Sequence, residues 1–301
     1  MAVQRSGIVI AVGNQKGGVG KTTNTVNIAA ALGQGGHRCL IIDLDPAAGA
    51  TRHLGVAEQR FAGTLELLAA NESVAQLVVT EHLPHGVQLI PSRPQLSELD
   101  VRLSRFSDRT RLLERPTSAA RSNYDFIFLD TAPIAGATTT VAAYSVADWI
   151  LLSAFPHPLS MGGLTEAFND IADVRRQRNP RLDILGVVFS NVDGRATRLR
   201  MELERVVNSA LPKRRFETCI SQAVVIPEAS GLGLSLFQLP GYAKLPVAQQ
   251  YLRLAAEIEY RVRNRDMFLA GRLKPLASAT ASTPRILEFP ERDVTQPRGE
   301  D

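Results

Sequence analysis

Short runs of consecutive apolar residues punctuate the chain: Ile8 to Val12, Arg38 to Asp43 (RCLIID), Val87 to Pro91 (VQLIP), Tyr124 to Pro133 (YDFIFLDTAP), Trp149 to Ala154 (WILLSA) and Ile184 to Ser190 (ILGVVFS). Each has the length of a strand and is apolar at successive rather than alternate positions. That is the pattern of a parallel strand covered on both faces. Between the runs, apolar residues recur at helical spacing. Thr22 to Leu32 reads as one helix. Ser160 to Gln177 reads as another, with Leu164, Phe168, Ile171 and Val174 on one face. Pro246 to Arg263 closes the series with Tyr251, Leu254, Ala255 and Ile258. Shorter helical patterns follow Thr64 (TLELL), run from Val74 to Val79, and carry Leu96, Leu99 and Leu103. Strands alternating with helices predict an α/β fold: a doubly wound, mostly parallel sheet with helices on both faces.

From about Phe268 the pattern dissolves into prolines at 275, 284, 290 and 297 and a Ser/Thr/Ala stretch at 277–283. This divides the chain into a domain over 1–267 and a tail over 268–301 that is expected to be disordered. Composition changes little in this picture. With 301 residues, 45% hydrophobic and 21% charged, the chain suits one large globular domain. No apolar run reaches the roughly 18–20 residues a membrane span needs. The start, MAVQRSGIVIAVGN, does not read as a signal peptide, because its apolar segment is itself the first predicted strand. Cys39 and Cys219 are isolated, without disulfide or metal-ligand spacing, and are expected to be reduced thiols of a cytoplasmic protein. The net charge of +4 permits contact with nucleic acid or an anionic membrane surface.

Candidate chemistry concentrates at the ends of the predicted strands. Val12 to Thr23 reads VGNQKGGVGKTT, in the strand, glycine-loop, helix order of a phosphate-binding loop. Backbone N–H groups of Gly17, Gly18, Val19 and Gly20 would meet phosphate oxygens, with Thr23 closing the motif. Lys21 would neutralise the outer phosphates, and the Thr22 hydroxyl would ligate the magnesium they carry. Asp43 and Asp45 end the second strand. Asp45 is a candidate for orienting the attacking water and for contact with the metal, or else a turn residue before Pro46. Asp43 suits a supporting place near the magnesium. Asp130 ends the fourth strand, where a carboxylate holds the magnesium's water shell, and Ile134 to Thr140 beyond it would be a switch loop sensing the terminal phosphate. The most basic window holds Arg195, Arg198, Arg200, Arg205, Lys213, Arg214 and Arg215 against Glu202 and Glu204. Either it is a solvated helix face, or it grips DNA phosphates without reading bases.

One departure is informative. The standard loop, G-x-x-x-x-G-K-[ST], would have its first glycine at Gln15, and an extra lysine, Lys16, precedes the glycine pair. The chain has only five lysines, and two of them are Lys16 and Lys21. With the aspartates at 45 and 130, this resembles the ParA/MinD family of deviant Walker A P-loop ATPases, nearest to Soj-like partition ATPases. The resemblance spans roughly residues 6–263. It implies MgATP bound between two protomers, with Lys16 of each reaching the partner's nucleotide, and Asp45 as the catalytic aspartate. It implies Asn191 near the adenine and Arg195, in the motif Asp193-Gly194-Arg195, on DNA. It further implies a homodimer on non-specific DNA, a ParB-like activator and a nucleoid-associated protein. Four positions depart from the family pattern: Ala47 for Gln, Ala132 for Pro, and Gln222 and Val225 for two arginines. Other readings are a ParA-like positioner of a protein complex, a MinD-like membrane organiser, or a non-hydrolysing scaffold. A redox or metal-transfer protein of nitrogenase iron-protein type would need cysteines near the switch loops. The tail's Arg285-Ile-Leu-Glu-Phe-Pro is short for a membrane helix and is broken by Pro290.

Overall fold

A computed structural model describes residues 6–57, 60–104, 108–134, 136–156, 160–193 and 197–276. The strands are β1 (Ile8–Gly13), β2 (Cys39–Asp43), β3 (Val87–Ile90), β4 (Phe126–Asp130), β5 (Trp149–Ala154) and β6 (Asp183–Phe189). They form one sheet in the order β3-β2-β4-β1-β5-β6, and every pairing is parallel. All six C-terminal ends therefore lie along one edge. The register sets Val12 of β1 and Asp43 of β2 both level with Asp130 of β4.

The helices are α1 (Lys21–Gln34), α2 (Gly49–His53), α3 (Thr64–Ala69), α4 (Val74–Leu77), α5 (Leu99–Arg102), α6 (Glu114–Ala120), α7 (Thr138–Val146), α8 (Ser160–Gln177), α9 (Thr197–Ala210), α10 (Val225–Gly231), α11 (Pro246–Arg263) and α12 (Arg265–Leu269). The sheet has an apolar layer on each face, because successive strand residues point to opposite sides. Val9, Ala11, Ile127 and Leu129 join the layer packed by α3 to α9. Ile10, Val12, Phe126, Phe128 and Trp149 join the one packed by α1, α2 and α10 to α12.

Three stretches differ from expectation. Thr138–Thr140, expected within a switch loop, form the first turn of α7, where Thr139 and Thr140 are buried. The segment from Arg214 to Gln222 runs alongside β6 as an irregular seventh strand, with bridges Val187 to Arg215 and Val192 to Ser221. Its first half is held by side chains of α11. Glu257 accepts from the N–H groups of Glu217 (2.9 Å) and Thr218 (3.3 Å). Arg261 donates to the carbonyls of Leu185 (2.9 Å), Arg214 (3.3 Å) and Arg215 (2.8 Å), and to Glu257 itself. Last, packing continues past residue 267. Phe268 is buried against Trp149, with Arg214 over its ring at 4.3 Å. The tail expected to be disordered is otherwise, from 277 to 301, outside the described residues.

Candidate nucleotide site

The loop between β1 and α1 begins rigid and ends open. Gly13 lies against Tyr144, whose hydroxyl would be 2.3 Å from an added Cβ. Asn14 is buried; it donates to the Ser153 carbonyl (2.7 Å) and accepts from the Lys16 N–H (2.9 Å). Gln15 donates its amide to Asp170 of α8. Gly17 and Gly18 are exposed, and a Cβ on either would meet nothing within 4 Å. Gly18 (φ 74°) and Gly20 (φ 87°) adopt the left-handed backbone that favours glycine. The Val19 side chain is buried, which anchors the loop.

Lys21 is 7% exposed. Burial pulls its pKa down, while the charges of Asp130 and Asp45 pull it back up. Its ammonium donates to the Lys16 carbonyl at 3.1 Å. A buried cation resting on one carbonyl at the foot of an open glycine cradle suits an anion arriving from the loop side. One turn of helix places Thr22 and Thr25 on the same side of α1. Thr22 donates to one oxygen of Asp130 (2.8 Å) and Thr25 to the other (3.0 Å). Burial pushes the Asp130 pKa up against those two hydroxyls and the Lys21 charge. Thr22 is also close to Gly49, where a Cβ would come within 2.9 Å of its hydroxyl oxygen. A hydroxyl, a buried carboxylate and room beside them are the donor set of a hard divalent cation such as magnesium. The residues present thus fit a magnesium-bearing phosphate chain.

Asp43 is fully buried, and burial followed by the nearby Asp130 charge raises its pKa. It accepts from the Thr51 N–H (2.9 Å), the Thr51 hydroxyl (2.7 Å) and the Asp45 N–H (3.2 Å). Asp43 thus braces the loop that carries Asp45, in a supporting place level with Asp130. Asp45 is half-buried and accepts from the Ala47 N–H at 2.8 Å, a local turn. Its charge still acts on both Lys21 and Asp130, which puts it at the site. Thr23 is half-buried on α1, and its carbonyl accepts from Asn27 at 2.9 Å. Asn191 is exposed just past β6, in left-handed backbone (φ 54°). Its neighbour Ser190 ties β6 to α1 through Asn24 (2.9 Å). Sequence reasoning passed over Asn14, Thr25, Asn24 and Gly49. Thr25 had a signal, since it follows Thr22 by one helical turn.

The basic window does not act as one surface. Arg195 and the side chains of Arg198 and Arg200 lie outside the described residues. Arg205 is exposed on α9, whose 14 residues rise about 21 Å and carry the chain back toward the N-terminal edge of the sheet. There Arg214 and Arg215 are engaged within the fold, which corrects their expected place on a DNA face, while Lys213 stays exposed. Lys213 donates to the Gly271 carbonyl (2.7 Å). Arg214 pairs with Asp183 (3.5 Å), and burial lowers its pKa. Arg215 faces Glu204 (3.8 Å) and donates to the Phe216 carbonyl. A cavity of about 450 Å³ opens at this edge, lined in part by Lys213, Arg215, Glu257 and Arg261, remote from the glycine loop. Charge counted along the sequence cannot distinguish a cation turned outward from one that holds a strand.

The sequence profile of a family described as an AAA domain matches residues 7–184. The chromosome partitioning protein ParA of Caulobacter vibrioides is 32% identical over 263 residues, which covers 86% of this chain and 96% of that protein. The chromosome-partitioning ATPase Soj of Thermus thermophilus is 34% identical over 254 residues, covering 84% and 96%. Among solved structures, a Mycobacterium smegmatis protein named cobyrinic acid a,c-diamide synthase, with ADP and magnesium bound, superimposes with a TM-score of 0.68. It is 25% identical, over 89% of this chain and 98% of that one.

Proposed function

The chain belongs to the ParA/MinD family of P-loop ATPases, and from that premise we propose that it is a partition ATPase whose nucleotide state switches a DNA-bound dimer on and off. Its cofactors are ATP and Mg²⁺. The observation that carries the reading is the convergence of Lys21, Thr22, Asp130 and Asp45 at one end of the parallel sheet, with Lys16 beside them. Magnesium, when bound with ATP, neutralises the phosphate charge. Lys21 brings a cation into a dehydrated place, where it acts more strongly than in water. Thr22 and Asp130 hold the metal; Gly17 to Gly20 bind and orient the phosphates; Asn191 lies at the adenine end. Asp45 orients a water and takes its proton, while Asp43 keeps the Asp45 loop in place through Thr51. Lys16 of each protomer reaches the other's nucleotide, so hydrolysis separates the pair.

DNA is gripped through phosphates by Arg195, Arg198 and Arg205, and a ParB-like partner stimulates turnover. The test is binding to unrelated DNA duplexes in moderate salt. Retention with ATP and loss with ADP is expected; equal retention, or none with ATP, would overturn the DNA claim. Replacing Asp45 by Ala should cut phosphate release at least about a hundredfold while nucleotide still binds. Undiminished release would remove Asp45 from the mechanism.

One observation favours a second reading, a positioner of a protein complex. At the family's second arginine patch this chain has Gln222 and Val225, and the neighbouring Val224 is 73% exposed. ATP-dependent pairing without DNA retention would support it. No helix among the described residues is long and apolar enough to cross a membrane.

A further inference from the structure

Gln15 and Lys16, where the glycine loop departs from the standard pattern, are backed by α8. Gly163 of that helix comes so close that a Cβ would be 2.4 Å from the Asn14 Oδ1 and 3.1 Å from the Lys16 Cβ. Two turns further along the same helix, Asp170 accepts a hydrogen bond from the Gln15 amide. The other side-chain atom of Gln15, Oε1, is buried and has no partner. The amide therefore depends on Asp170 for its orientation, since a buried polar group with one bond left is costly to move. Lys16 follows Gln15 directly. Its N–H is held by Asn14 (2.9 Å), and its carbonyl receives the Lys21 ammonium (3.1 Å).

We propose that Asp170 is a positioning residue. By holding Gln15 it fixes the backbone from which Lys16 extends, and so it governs the ATP-dependent pairing of two protomers rather than nucleotide binding by one. This rests on the reading that Lys16 reaches across a dimer. Asp170 itself touches no phosphate. It acts through Gln15, and a neutral acceptor of the same shape keeps the contact. A charge-assisted hydrogen bond of this kind is worth enough to change an equilibrium by about tenfold.

The experiment measures two quantities on the full chain: affinity for a fluorescent ATP analogue at low protein concentration, and the protein concentration of half-dimerisation with ATP by sedimentation velocity. Asp170→Ala and Gln15→Ala should each raise the second about tenfold and move the first by less than about twofold, and the pair combined should do no more than either alone. Asp170→Asn should restore pairing to near wild type. Thermal melts identify any variant that fails to fold, and Gln15→Ala then carries the test. Wild-type pairing in Asp170→Ala, additive effects in the double variant, or an equal loss in both quantities would overturn the proposal. Should wild type and Lys16→Ala both stay monomeric with ATP, the dimer reading falls, and the Asp170 proposal with it. If wild type pairs, Lys16→Ala does not and Asp170→Ala does, only the role of Asp170 is rejected.

Discussion

His53 shows how one buried group imposes a pH dependence on the whole fold. It ends α2 beside the Asp45 loop, is 5% exposed, and its Nε2 is buried without a partner. Burial lowers its pKa from 6.5 to about 4. Between those values the unfolded chain binds the proton and the folded chain does not, so stability falls as pH drops through the window. The loss approaches about 3 kcal/mol by the lower end. Asp43 and Asp130, whose carboxyl pKa values burial raises to about 7 and about 6, gain stability over the same window and oppose it. The His53 share is therefore read by difference. In urea titrations at pH 7 and pH 4.5, His53→Leu should gain stability relative to wild type at the lower pH, and an equal change in both proteins would place the acid sensitivity elsewhere. At this scale the sequence revealed residue types better than their tasks. Lys21, Thr22 and Asp130 are adjacent, as their motifs predict. Asp43 braces a loop, and Arg214 and Arg215 face inward, because a side chain's direction depends on neighbours far away in the sequence.

Elements with a strong pattern were legible almost to the residue. The parallel strands read as solid apolar runs because both faces are covered, and α8 and α11 read from their apolar stripes. Helix α7 was hidden. Its sequence, TTTVAAYSV, is rich in β-branched residues, has no capping side chain and follows a motif that suggests a loop. The segment beside β6 was hidden for another reason: part of its hydrogen bonding comes from Glu257 and Arg261 rather than from a strand ladder. Both side chains are under a tenth exposed. Removing one partner of a buried pair leaves an uncompensated charge and costs about 3–5 kcal/mol. Arg261→Met should therefore lower the urea midpoint strongly, and hydrogen exchange should show Val187 and Phe216 opening first. Uniform exchange across the sheet would contradict this.

For the molecule as a whole, the inward-facing Arg214 and Arg215 leave the proposed DNA grip with a small footprint. In that proposal Arg195, Arg198 and Arg205 of two protomers would make about six phosphate contacts, so log affinity should fall against log salt with a slope near −5. Arg205→Ala removes two of them and should flatten the slope by about 2. An unchanged slope would take Arg205 out of the interface. The brace from α11 also bears on how the chain is made. The 214–218 segment emerges from a ribosome some forty residues before Glu257 and Arg261, and until they arrive its backbone is an open edge. Open edges pair with whatever strand is nearest. Synthesis is thus most vulnerable in that interval, and a nascent chain stalled before residue 257 should co-sediment with others of its kind while one stalled after residue 276 should not.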